Sequence, residues 1–281
     1  MIHSNNSGPG VSAPARQGGS ALRQGGRLVG AVIGLLLLGI VLSACGGTPV
    51  AQYWPGITLA DDTIYVISGT PQKVYILDAE TGAQKGTFAP ASEFRGTVWW
   101  SPVTVAEGLA FVGFTETGSG GGGLFGSRGS GSGTAGLYVF DPETGQELWH
   151  VPAEGQILPA PVYSGGVVYY GVTDGSLHAV DVESQAAKLG FSFQAAQPIW
   201  GSPLVVDDRV YIAAMDHHVY SLDAETGEVH WEVQLGGAMA AQPSLYAANG
   251  VLYAGTFDGK AYAIDADSGD LVESFEFQSE N

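Results

Sequence analysis

Cysteine is almost missing from this chain. One residue, Cys45, stands among 281, so no intrachain disulfide and no cysteine-based metal site can form. Positive charge is scarce as well: 10 Lys and Arg face 28 Asp and Glu, for a formal net charge of −18. Such a surface repels phosphate backbones and anionic headgroups, which argues against nucleic acid as a partner. After residue 45 no segment carries an apolar stripe at helical spacing. No loop has the alternating oxygen ligands and closing glutamate that a calcium loop needs. Glycine, by contrast, is plentiful, at 43 residues, and much of it falls between short hydrophobic runs where turns belong.

The amino terminus reads as an address. Residues 1–27 are polar and carry no acidic group, only Arg16, Arg23 and Arg27. An uncharged run of 17 residues, 28–44, follows and ends in Leu42-Ser43-Ala44 directly before Cys45. A basic region, an apolar core and small residues at a cleavage point make a secretory signal. The segment resembles the bacterial lipobox, which implies cleavage before Cys45 and acylation of that residue, an anchor to a membrane. The alternative is a plain spanning segment, for which the run is at the short end. The expected division is a lipoprotein signal peptide at 1–44, a lipidated tether at 45–53 and a folded domain at 54–281. The processed chain would keep 28 acids against 7 Lys and Arg, or −21.

The remainder repeats. A Tyr-x-x-Asp motif recurs at Tyr75–Asp78, Tyr138–Asp141, Tyr220–Asp223 and Tyr262–Asp265, with the variant His178–Asp181. The aspartates Asp78, Asp141, Asp181, Asp223 and Asp265 are 63, 40, 42 and 42 residues apart. The long first interval holds a Gly/Ser-rich insert, residues 117–135, which reads as a tolerated surface loop. A period near 40 without helical patterning signals a propeller blade. In the fourth unit, four short strands fall at 202–207, 209–214, 219–223 and 229–234, joined by Asp- and Gly-containing turns. The fold class is therefore all-β, a β-propeller of about five four-stranded blades.

Most of the repeated residues have structural explanations. The five aspartates suit turns in which a carboxylate accepts backbone N–H bonds, with a following Thr-Gly or Ser-Gly supplying the left-handed position; Ser184-Gln185 departs from this. One ring per unit (Phe88, Trp149, Phe191 or Phe193, Trp231, Phe275) suits packing between neighbouring blades. His217-His218 read as a solvated turn, since adjacent strand residues face opposite ways and cannot readily share a metal.

The pattern from Val219 to Trp231, V-Y-x-L-D-A-E-T-G-E-x-x-W, resembles the pyrroloquinoline-quinone-like propeller repeat, over about residues 54–278. That family includes quinoprotein dehydrogenases and the propeller lipoprotein of the outer-membrane β-barrel assembly machine. Its enzymes use a vicinal disulfide over the cofactor, which a chain with Cys45 alone cannot make. The resemblance thus implies a non-catalytic scaffold in the cell envelope, with no cofactor and no metal. Its partners would be envelope proteins or exposed peptide strands. A quinone- or sugar-binding propeller, an oxidoreductase or a sensor, is the alternative.

The segments leading into the first strands carry Trp99, Trp100, Trp200 and Met239. These four mark a candidate binding rim, with core packing as the rival reading. Closure of five blades into a ring is the preferred arrangement. An open series would expose two apolar faces and call for self-association or another partner.

Overall fold

The computed structural model describes residues 56–69, 72–89, 97–99, 101–116, 135–239, 247–248 and 250–276. One compact unit spans Tyr53–Asn281. The signal segment, Cys45, Trp100 and insert residues 117–134 lie outside the described residues. The insert ends one residue earlier than expected, because Ala135 opens a strand and is buried.

Alternation of apolar and polar residues, punctuated by Asp-Gly turns, dictates short antiparallel strands, and among the described residues there is no helix. The first blade comprises β1 (Ile57–Ala60), β2 (Thr63–Gly69), β3 (Gln72–Asp78) and β4 (Gln84–Phe88). The second comprises β5 (Thr97–Trp99), β6 (Thr104–Ala106), β7 (Leu109–Glu116), β8 (Ala135–Phe140) and β9 (Glu147–Ala153). The third contains β10 (Val162–Ser164), β11 (Val167–Gly171), β12 (Ser176–Asp181), β13 (Ala186–Ala187) and β14 (Phe193–Gln194). The fourth is β15 (Leu204–Val206), β16 (Arg209–Ala213), β17 (His218–Asp223) and β18 (Val229–Gln234). The fifth is β19 (Ala247–Ala248), β20 (Val251–Gly255), β21 (Lys260–Asp265) and β22 (Leu271–Glu276). Each sheet is a meander in sequence order. In the second blade both β5 and β6 pair with β7, so the innermost strand there is split in two.

The repeated aspartates close the turn between the third and fourth strands. Asp223 Oδ1 accepts from the backbone N–H of Glu225 at 2.9 Å and of Thr226 at 2.8 Å. Asp78, Asp141 and Asp265 accept in the same way from Thr81, Thr144 and Ser268. Those hydrogen bonds hold all four carboxyls below the ordinary Asp range. The turn glycines Gly82, Gly145, Gly227 and Gly269 take φ between 69° and 78°, and a bulge follows each turn in the outer strand pair. The third blade differs. Gln185 stands where the others have glycine, at φ 56°, and the outer strand breaks after β13 and resumes at β14.

The core lies between blades rather than within them. Side chains of one parity on each sheet face the preceding blade and those of the other parity face the following one. Tyr65, Ile67, Val74 and Ile76 of blade one meet Ala110, Val112, Phe114, Tyr138 and Phe140 of blade two. Three further clusters join blades two to three, three to four and four to five. Outer-strand rings take part: Phe88 stacks on Phe140 at 4.4 Å, and Trp231 donates its indole N–H to the carbonyl of Ala266 in blade five at 3.0 Å.

The expected closure of the five blades into a ring is not met among the described residues. Among the described residues no cluster joins blade five to blade one, and the outward faces of both carry exposed apolar side chains. Among the described residues four inter-blade interfaces are packed and two end faces have no blade against them.

Candidate functional site

Strand alternation puts the hairpins between second and third strands at the same rim as the segments that lead into each new blade. Backbone bonds tie the two together: Thr173 N–H to Gln156 O at 3.0 Å, Met215 N–H to Pro198 O at 2.9 Å, and Phe257 N–H to Ala238 O at 3.0 Å. The opposite rim carries the turns of the five repeated aspartates.

The lead-in side chains mostly point inward. Ile157 and Ile199 are fully buried, and each fills the space left by a glycine on the preceding blade. A Cβ on Gly171 would sit 2.3 Å from Ile199 Cγ2, and one on Gly113 would sit 2.6 Å from Ile157 Cβ. The same insertion decides the fate of the expected binding rim. Trp99 is buried between Phe88 and Tyr138, with ring centroids 5.5 and 5.7 Å away. Met239 is buried against blades four and five. A binding surface drawn through these two positions is therefore corrected to core, because the lead-in segment must plug the gap between blades. Trp200 is half-buried at the rim, and Trp100 lies outside the described residues.

The hairpins supply what the rim does expose. At a common offset of 42 residues stand Thr173, Met215 and Phe257, then Asp174, Asp216 and Asp258. Phe257 is 67% exposed and Met215 half-buried. Each aspartate organises its own turn. Asp174 accepts from the Ser176 hydroxyl at 2.6 Å. Asp216 accepts from the Tyr220 hydroxyl at 2.8 Å and from the Ala196 N–H at 3.1 Å, reaching back to the lead-in segment. Asp258 accepts from the Thr256 hydroxyl and lies 3.8 Å from Lys260 Nζ. Burial, reinforced by that Asp216 contact, pushes the Tyr220 phenol well above its ordinary range, so it stays a donor. His217 adopts φ 72° in the turn position that Gly175 and Gly259 fill elsewhere. The 42-residue spacing of this second aspartate series was present in the sequence and marks the rim that the tryptophans alone had suggested.

Among the described residues the histidines do not converge. His150 pairs with Glu147, His178 with Ser176, and His230 lies 3.8 Å from Asp223. Burial lowers the pKa of His178, which keeps its imidazole neutral. Among the described residues no group of three or more His, Cys, Asp or Glu could hold a metal ion. With a single cysteine in the chain, this donor set does not fit a quinone held under a disulfide beside a metal.

A family model described as outer membrane protein assembly factor BamB matches residues 115–188 and 133–280. No curated protein matches the chain. Among solved structures, BamB from Moraxella catarrhalis aligns with a TM-score of 0.58 and 20% identity, over 79% of this chain and 61% of that one. A europium-containing methanol dehydrogenase aligns with a TM-score of 0.59 and 17% identity, over 80% of this chain and 51% of that one. The quinohemoprotein alcohol dehydrogenase of Comamonas testosteroni gives 0.57 and 16%, over 80% and 43%. The chain thus spans less than two thirds of the length of each, and at these identities the likeness is one of fold.

Proposed function

The chain belongs to the family of the outer membrane protein assembly factor BamB, and from that premise we propose that it is an exported lipoprotein whose propeller binds envelope proteins or exposed peptide strands without catalysing a reaction. The observation that carries this reading is the family match, which runs across blades two to five. The signal-like segment and Cys45 supply the anchor: residues 1–44 are the cleaved signal, 45–53 the tether, and 54–281 the propeller. A surface with this excess of acid disfavours anionic ligands and suits neutral or basic partner segments.

The docking point on this reading is the rim of blades four and five, with Phe257 as its exposed anchor and Met215 and Trp200 on the same rim. A projecting ring supplies apolar contact area, and the neighbouring Asp258 accepts hydrogen bonds from an incoming backbone. The dehydrogenase alternative lacks support in the donor set described above.

Two measurements on the full chain test the proposal. Cys45→Ala should move the protein from the membrane to the soluble fraction; retention on the membrane would count against the lipid anchor. Affinity purification from detergent-solubilised membranes should recover an envelope protein in stoichiometric amount, lost on Phe257→Asp. No stoichiometric partner would overturn the scaffold reading, and undiminished recovery with the variant would overturn the assignment of the rim.

A further inference from the structure

Three of the four interfaces between blades share a hydrogen bond; in blade two the donor position is Phe111, which has no hydroxyl. Tyr169 donates its hydroxyl to the carbonyl of Ala224 at 2.8 Å, Tyr211 donates to Ala266 at 3.3 Å, and Tyr65 donates to Pro142 at 3.4 Å. In each case the donor sits on the second strand of one blade. The acceptor is the residue directly after the repeated aspartate of the next blade, here Asp223, Asp265 and Asp141. The fifth blade carries the same donor, Tyr253, in the same place. Its three counterparts are 3–4% exposed, whereas Tyr253 is 45% exposed and has no following blade among the described residues.

The first blade shows the complementary defect. Its face toward a preceding blade carries Ile57 and Leu59, 69% and 66% exposed, with Ile64 and Leu77 half-buried behind them. The residues matching Ile64 and Leu77 in the other four blades are fully buried or nearly so. The acceptor position after Asp78 is Ala79. Its N–H bonds to Asp62 O at 2.8 Å, as the N–H of Ala224 bonds to Asp208 O and that of Ala266 to Gly250 O at 2.9 Å. The backbone that presents the acceptor carbonyl is thus already formed.

Among the described residues a donor face and an acceptor face of one repeating interface both stand uncovered, at opposite ends of the same series, and neither covers the other. A second copy supplies the matching face with the same spacing and chemistry. We propose that blade five of one copy packs on blade one of a second copy, with Tyr253 donating its hydroxyl to the Ala79 carbonyl of that copy. The contact is heterologous, so a pair of copies keeps one free face at either end and assembly continues beyond two. The net charge of −18 opposes it, and added salt strengthens it by screening.

Sedimentation of the full chain in density-matched mild detergent tests this. The native chain should grow past dimer with concentration, more so at 0.15 M salt than at about 0.01 M, where charge repulsion reaches much further out. Tyr253→Glu blocks one end and Leu59→Glu the other. Each variant alone should stay monomeric while keeping native circular dichroism. Their equimolar mixture should form a species that stops at two chains, since only one intact pair of ends remains. A native chain that stays single, a folded end variant that still assembles, or a mixture of folded variants that does not pair would each overturn the proposal. If Tyr253→Glu does not fold, Tyr253→Phe takes its place: losing one hydrogen bond should weaken association roughly 2- to 10-fold. Unchanged association there would remove the tyrosine from the contact.

Discussion

At the scale of single residues, the turns show what one backbone angle decides. Four of the five repeated turns place glycine at positive φ, where an L side chain crowds its own carbonyl. The third blade places Gln185 there instead, and its side chain is exposed and contributes no packing that offsets the cost. Gln185→Gly should therefore stabilise the protein, by about 1 kcal/mol after allowing for the greater freedom of glycine in the unfolded chain. The shift of the urea midpoint measures this. A lower midpoint would mean that Gln185 makes a contact worth more than its strain. Ser184-Gln185 was visible in the sequence as a departure from Thr-Gly. That the chain keeps the turn and breaks the strand after it was not, because the outcome depends on whether Asp181 still gathers its hydrogen bond from Ser184, as it does at 2.7 Å.

At the scale of elements, the outer strand of each of the first four blades has two tasks: to close its own sheet and to cover the next. Trp231 on β18 does both. Its ring lies against Tyr211 of the same blade, 6.0 Å between centroids, and its indole N–H reaches the carbonyl of Ala266. Gly269 lies directly beneath it, where a Cβ would meet the indole at 2.8 Å. Trp231→Phe should keep most of the packing and lose the hydrogen bond, costing about 1 kcal/mol. Trp231→Ala should cost about 3 kcal/mol, since the gap between two blades cannot collapse. Equal losses for the two would show that the hydrogen bond, not the ring, carries the contact. The role of Phe88, Trp149, Phe193 and Trp231 in packing between blades was legible from their one-per-unit spacing; the side chain of Phe275 lies outside the described residues. The burial of Trp99 and Met239 was not, because spacing places a residue on a segment without saying which way the segment turns its side chain.

At the scale of the whole propeller unit, stability is a sum over blades and the interfaces between them. Blades two, three and four are each covered on both faces, whereas blades one and five each have one face uncovered among the described residues. Opening an end blade disrupts one interface; opening an inner blade disrupts two. Amide hydrogen exchange on the separated chain should therefore run fastest in β1–β3 and β20–β21 and slowest in β11 and β16–β17. Assembly through the end faces should slow exchange in blades one and five alone. Uniform exchange across all five blades would mean that the unit opens as a whole and that the end faces are no weaker than the rest.

The sequence by itself determined the all-β class, the period, the number of blades and the places where turns must fall. Those follow from local rules: alternation of side chains, the hydrogen-bonding habits of aspartate and the angles open to glycine. It also determined what cannot be present, since one cysteine makes no disulfide. Only the tertiary structure decided which aromatics are core, that the second aspartate series marks a rim with Phe257 exposed upon it, and that among the described residues the five blades leave two faces uncovered. These depend on the angle at which successive sheets pack, a quantity set by volumes meeting across interfaces between residues distant in sequence. No local pattern encodes it.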